Sequence, residues 1–286
     1  MTESAEYLRY LAIARGAIDI GRSLFLTYFG QRSGLDIFSK GERDFATSAD
    51  LQIEEEIRAF LESETPHVGF VGEERGGVLD SHEFVWVLDP VDGTVNFSFG
   101  SPLCGISLAL VRSGKPVAAV VELPVLCEQY TAVRGAGAKW NDVAISVPKQ
   151  LLLSASVVAF GDFSVTADHA AQNLRRIRVQ RLLANRALRV RMLGSAAIDL
   201  SWLAVGRHQA SLTLSNNPWD MAAGALVASE SGATVNAENG AEYSTSSSVT
   251  IAAAGAVLSR EIHLLLRKAD AVSKSSSVNF SSQSSY

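Results

Sequence analysis

The chain is predicted to be an α+β protein built from two layered sub-domains. Three observations predict it: apolar residues recur at helical spacing in several segments, short β-branched and aromatic runs lie between them, and the mixture changes near residue 149. At 286 residues and 47% hydrophobic, the chain has apolar material for roughly two ordinary cores.

The first apolar stretch places Leu8, Leu11, Ile18 and Phe25 on one face and predicts a helix over 5–29. Arg15, Asp19 and Arg22 break it too often for a signal-peptide core or a membrane span, so the expected location is the cytoplasm. Ser48 is expected to cap a second helix that buries Ile53, Ile57, Phe60 and Leu61, with Glu54, Glu55 and Glu56 on its solvated side. The runs VGFV at 68–71 and FVWVL at 84–88 are strand-length, and acid follows each. Strands are also expected at 106–111, 117–123 and 128–133, the first two joined by the turn Ser113-Gly114-Lys115-Pro116. Gly135-Ala136-Gly137-Ala138 opens no helix and reads as a hairpin turn rather than a dinucleotide loop.

Beyond residue 149 the pattern predicts a strand at 155–160, a helix at 168–184, a strand at 189–193 and a helix at 195–205. A strand at 208–214, a helix at 218–231, strands near 233–236 and 249–253, and a final helix near 259–268 complete it. Residues 271–286 hold eight serines and no periodicity and are expected to be a disordered tail. The expected division is therefore 1–148, 149–270 and the tail.

With 25 Lys+Arg against 30 Asp+Glu, the formal charge of −5 argues against nucleic acid or an acidic membrane as partner. Cys104 and Cys127 lack metal-ligand spacing and fit a reducing compartment, and the five histidines show no ligand spacing either. Arginines 175, 176, 178, 181, 186, 189 and 191 form the one basic concentration; a solvated or ion-paired helix face is the plain reading, a docking surface the alternative. Arg191, near Gly194, is a candidate for attracting an anionic substrate.

The chemistry points elsewhere. Gly76 to Val111 contains no Lys or Arg, yet Asp89 and Asp92 follow a strand apolar enough to be central in a sheet. Uncompensated burial of an ionised carboxylate costs several kcal/mol, so a cation from outside is the economical partner. In Asp89-Pro90-Val91-Asp92-Gly93-Thr94, Pro90 fixes one φ and Gly93 permits a tight fold-back, letting both carboxylates meet one ion. If Thr94 opens a helical turn, its N–H groups would face an anion. Parallel pairing of the strands ending at Gly72 and Leu88 would set Glu73 beside Asp89. Asn217-Pro218-Trp219-Asp220 reads as a helix start, where Asp220 either serves the helix dipole or adds a carboxylate. Trp219 reads as core packing, and Ser195 as a helix cap or a substrate contact.

GEE at 72–74, WVLDPVDGTVNF at 86–97 and WDMAAG at 219–224 resemble the three signatures of the inositol monophosphatase family, Mg²⁺-dependent, lithium-sensitive phosphatases. The resemblance covers about 5–268 and takes in an Asp-x-x-Thr-x-x-Asp stretch at 44–50 and the Gly194-Ser195-Ala196 loop. It implies a layered αβαβα sandwich, a homodimer, and two or three Mg²⁺ ions. Glu73, Asp89, the Val91 carbonyl and Thr94 would hold a first ion, and Asp89, Asp92 and Asp220 a second. Asp50 would orient Thr94, Glu73 with Thr94 would activate water, Gly93 and Thr94 would hold phosphate, and Gly194, Ser195 and Ala196 would face the alcohol. Oxygen-only ligands suit a hard cation such as Mg²⁺. Where inositol-specific members carry a Glu that bonds sugar hydroxyls, this chain has Thr213.

The expected function is hydrolysis of a small phosphate monoester, inositol 1-phosphate first and histidinol phosphate second, with fructose 1,6-bisphosphate and 3′-phosphoadenosine 5′-phosphate behind. A non-catalytic interaction protein that kept the fold is a reading of another class. A glycosidase pair fits poorly, because two acids three residues apart in one turn cannot flank a sugar bond.

Overall fold

A computed structural model describes residues 3–30, 37–41, 44–79, 82–149, 152–165 and 169–278, with the backbone alone for 37–41, 44–46 and 272–278. Helix α1 (Glu3–Tyr28) buries Tyr7, Tyr10, Ala14, Ile18 and Phe25; of the face read from the sequence, Ile18 and Phe25 are buried, Leu11 is half-buried and Leu8 is exposed, because Tyr7 and Tyr10 turn the first turns toward the sheet. A β-hairpin, β1 (Ile37–Gly41) with β2 (Asp44–Thr47), leads into α2 (Ser48–Glu64). Two expectations fail here. The cap of α2 is Thr47, not Ser48, because Thr47 alone exchanges bonds with the third helical residue, Asp50. Glu54 is fully buried rather than solvated, while Glu55 and Glu56 are exposed as expected.

Strands β3 (Gly69–Gly72), β4 (Phe84–Asp92), β5 (Gly105–Arg112), β6 (Lys115–Leu123) and β7 (Glu128–Val133) lie side by side, joined by β8 (Gly137–Trp140) and β9 (Val143–Ile145) in a seven-stranded sheet. The last two were not expected from the sequence, being short and half polar. The turn between β5 and β6 is confined to Ser113 and Gly114, both at positive φ, and Lys115 and Pro116 already belong to β6. The hairpin reading of Gly135–Ala138 agrees with the antiparallel β7–β8 pair. A short helix α3 (Thr94–Ser98) follows β4.

The second sheet, order β11-β10-β12-β14-β13, is made from β10 (Val157–Phe160), β11 (Arg189–Arg191), β12 (Ala210–Thr213), β13 (Thr234–Ala237) and β14 (Thr250–Ala253). Helices α4 (His169–Arg186), α5 (Ala196–Ala204), α6 (Pro218–Glu230) and α7 (Ala256–Val278) accompany it. Helices α1 and α2 cover one face of the seven-stranded sheet, α5 and α6 fill the space between the sheets, and α4 and α7 cover the far side. The result is an αβαβα sandwich with four apolar layers. Helices α5 and α6 are apolar on most sides, as helices between two sheets must be, with Asp199 and Asp220 among the exceptions.

Helix α7 extends through Val278, so the first half of the expected tail is helical. Ser is a tolerable helix residue, and residues 271–278 contain no Gly or Pro to stop a helix already propagating. Residues 279–286 lie outside the described residues. No described helix is long and apolar enough to cross a membrane.

Candidate active site

Strand β3 pairs with β4 in parallel, Gly72 opposite Leu88, so the acids that follow both strands meet at one sheet edge. The Glu73 N–H donates to the Leu88 carbonyl at 3.2 Å. Pairing of β4 with β5 slips between Asp89 and Asp92: three steps along β4 match two along β5, from Ser107 to Gly105. That bulge matters because residues three apart in a regular strand face opposite ways, and one extra residue returns them to the same side. Pro90, which donates no ladder bond, sits inside it.

Carboxylate oxygens of Glu73, Asp89 and Asp220 lie within 4.8 Å of one another. Asp220 comes from the first turn of α6, which Pro218 opens, and its Oδ2 accepts from the Asn217 Nδ2 at 3.2 Å. Asp92 lies outside that triad; its Oδ2 accepts from Ser195 Oγ at 2.5 Å and from Ala197 N at 2.7 Å. Ser195 also caps α5, accepting from Ile198 N at 3.2 Å, so cap and site contact are one arrangement. Burial, then Glu73 and the other acids, push the Asp89 carboxyl well above its ordinary range. Burial, then Asp92 and Glu73, do the same to Asp220. Asp92 is raised to about 6, burial outweighing the bonds from Ser195 and Ala197. Such groups crowded together in a dry site stay ionised only if a cation neutralises them. Three oxygen donors and no described His or Cys in the group suit Mg²⁺ or a similar hard ion.

The Val91 carbonyl accepts from Thr94 Oγ1 at 3.1 Å, and the same hydroxyl lies 3.3 Å from Asp50 Oδ1. Asp50, fully buried, is held through its Oδ2 by the Thr47 N–H at 2.9 Å. Gly93 has φ +85°, and a Cβ there would lie 2.9 Å from the Leu103 carbonyl and 3.1 Å from that of Gly194. The loop of Gly194, Ser195 and Ala196 is thereby pressed against the start of α3.

A cavity of about 300 Å³ opens beside these groups, lined by Asp92, Asp220, the Gly194–Ala196 loop and Thr213, and also by Asp162 and Asp199. Sequence reasoning missed several contributors. Asp199 is buried, its carboxyl well above the usual range through burial and the nearby Asp92 and Asp162. Asn96 donates to the carbonyls of Leu103 at 2.7 Å and Leu193 at 2.8 Å and ties the loop to α3. Glu54 accepts from the N–H groups of Glu74 and Arg75, both at 2.9 Å. Only Asn96, inside the DGTVN run, carried any sequence signal. Arg191 is exposed on β11 and does not line the cavity.

The model of the inositol monophosphatase family matches residues 6–273. An inositol-1-monophosphatase of Mesorhizobium japonicum is 36% identical over 231 residues, 80% of this chain and 85% of that protein. The Nus factor SuhB of Pseudomonas aeruginosa is 34% identical over 227 residues, 77% and 83% of the two chains. Among solved structures, the extragenic suppressor protein suhB of Bartonella henselae superposes with a TM-score of 0.82 at 30% identity, covering 91% of this chain and 99% of that one. The IMPase of Thermotoga maritima gives 0.80 at 28%, with 91% and 98% covered.

Proposed function

The chain belongs to the inositol monophosphatase family and is a phosphatase of that kind, and from this we propose that it hydrolyses a small polyol phosphate with Mg²⁺. Inositol 1-phosphate is the first candidate and histidinol phosphate the second. The observation that carries the reading is the convergence of Glu73, Asp89 and Asp220 within 4.8 Å.

In this reading Glu73, Asp89, the Val91 carbonyl and Thr94 hold one ion, and Asp89, Asp92 and Asp220 another. When bound, the ions lower the pKa of a water and offset the charge of the leaving oxygen. The chain's own groups do the rest. Asp50 shares the Thr94 hydroxyl proton with the Val91 carbonyl and so orients the free lone pairs of that oxygen. Glu73, from the neighbouring strand end, is the base that takes the proton of the attacking water, assisted by Thr94. The N–H groups at Gly93 and Thr94 orient the phosphate, and the Gly194, Ser195 and Ala196 loop bounds the alcohol pocket. Thr213 stands in that pocket without a charge to offer, which supports a substrate with fewer directed hydroxyl contacts. Segments 1–148 and 149–270 are read as two sub-domains that each supply ligands. A homodimer, supported by exposed Leu174, Ile177, Leu188 and Met192 around α4 and β11, and a cytoplasmic setting, supported by unpaired Cys104 and Cys127, complete the proposal.

Phosphate release from the four esters named above, with Mg²⁺ and with EDTA, tests this. Release that EDTA leaves untouched rejects the metal, and the preferred ester identifies the substrate.

A second reading, a binding role, is favoured by relatives named Nus factor SuhB. Of the basic segment, Arg175 is paired with Glu238 and Asp270, Arg186 with Glu261, Arg176 is buried and Arg178 is half-buried against the Ala269 carbonyl, which leaves exposed Arg181, Arg189 and Arg191 as its surface. Charge reversal at those three that abolishes a cellular phenotype while turnover persists would support it.

A further inference from the structure

We propose that Glu54 is a positioning residue for Glu73, so that one helix, α2, sets both members of the water-activating pair Glu73 and Thr94. The inference rests on the metal-dependent reading above.

Glu54 is fully buried, and each of its oxygens serves a different amide: Oε2 accepts from Glu74 N and Oε1 from Arg75 N, both at 2.9 Å. Those are the two peptide groups directly after Glu73. On the other flank, a Cβ on Gly72 would lie 2.3 Å from Glu54 Oε2, so the backbone before Glu73 rests against the same carboxylate. Gly72 does not have positive φ, so contact with Glu54, not backbone conformation, accounts for the glycine. Glu54 thus clasps the turn on both sides of Glu73 and does not line the cavity.

The helix that carries it is itself anchored. Its cap bonds Thr47 to Asp50, and Ile53, Ile57 and Leu61 are buried in the core beneath the sheet. Asp50 and Glu54 are four residues apart, about one turn and roughly 6 Å along the axis, on one face. Asp50 accepts from Thr94, and Glu54 clasps the Glu73 turn. The separation of the two reactive side chains is therefore set by a rigid rise, not by two independent loops. A carboxylate buried with only amide donors is expensive to keep. Its burial pushes its own carboxyl up, against the pull of the two amides and Arg75.

The test is a calorimetric Mg²⁺ titration of metal-free protein without substrate. Groups that orient a metal ligand typically alter affinity by about 10-fold to 100-fold. Glu54→Gln keeps the volume but turns an NH₂ toward one amide, and Mg²⁺ affinity is expected to fall by about 10-fold or more. Turnover at saturating Mg²⁺ should fall by less than affinity does, because bound metal pulls Glu73 into place. Gly72→Ala should weaken Mg²⁺ binding in the native background and add little in Glu54→Ala, where the opposing carboxylate is gone; a merely structural role predicts the same coupling in melting temperature with Mg²⁺ affinity unmoved. Should Glu54→Ala fail to fold, Glu54→Gln and Gly72→Ala singly still decide. Folded Glu54→Gln with affinity within about twofold of the native chain, or strict additivity in the cycle, overturns the inference while leaving the phosphatase reading intact. Native protein that binds no Mg²⁺ and ignores EDTA overturns both.

Discussion

Asp92 and Asp220 reach the site from positions 128 residues apart in the chain, and each contributes charge rather than apolar packing. Asp92→Asn or Asp220→Asn should therefore lower phosphate release to below about a tenth of native while the circular dichroism spectrum shows the fold kept. A variant that keeps more than that tenth would remove its residue from the ligand set. His208 makes a separate statement about pH. It is buried, its Nε2 bonded to the Asp199 carbonyl at 2.5 Å, and desolvation pushes its pKa down to about 4. A depressed pKa means the neutral ring's contribution is whole above the ordinary value near 6.5 and is lost as pH falls from there toward 4. The loss is on the order of 3 kcal/mol. Urea unfolding of metal-free native protein and His208→Gln at pH 7 and pH 5 should show the native chain losing more stability on acidification; equal losses would refute the burial argument.

At the scale of elements, the site depends on how short segments are pinned. Gly93 starts α3 in a left-handed conformation and lies against two carbonyl oxygens. Gly93→Ala should destabilise by about 1–3 kcal/mol and reduce kcat more than melting temperature suggests, since α3 and the Gly194 loop must separate. Steady-state kinetics beside thermal unfolding checks this. Helix α5 is held at its far end by Arg207, whose guanidinium lies over the rings of Trp140 and Trp202 at 5.3 and 4.8 Å and pairs with Glu128. Arg207→Lys keeps the charge but loses the planar fork, and should destabilise by roughly 1–2 kcal/mol in denaturant melts. No change would show the stacking to be idle.

Across the whole molecule, four acids are drawn to one edge of a sandwich, and in the proposed reading a cation offsets their mutual repulsion. Mg²⁺ at about ten times its Kd should add about 1.4 kcal/mol and raise the melting temperature by a few degrees. Asp89→Asn should raise the melting temperature of the metal-free protein and abolish the Mg²⁺ increment, as scanning calorimetry would show. A metal-independent melting curve for the native chain would contradict the cluster's reading as a cation site.

Most of the architecture was legible in the chain because its periods are strong: the helical period of α1, the β4 run and the Asn-Pro start of α6 are local signals that local physics obeys, although the buried face of α1 begins at Tyr7 and Tyr10 and not at Leu8. The carboxylate turn was legible too, since acids after an apolar strand with no nearby base demand a partner. What local reasoning misjudged was whatever depended on who lay opposite. Glu54 has the sequence context of its exposed neighbour Glu55, and only the turn packed on α2 makes one buried and the other a surface partner of Arg75. Thr47 displaced Ser48 as cap because Asp50 answered it. Likewise the bulge that turns Asp89 and Asp92 to one side is written in the β4–β5 register, not in either strand alone. Periodicity and residue chemistry act over a few residues and were enough to predict layers and a cation. Burial, register and the meeting of residues 44 to 147 positions apart are properties of the packed chain, and only the tertiary structure could decide them.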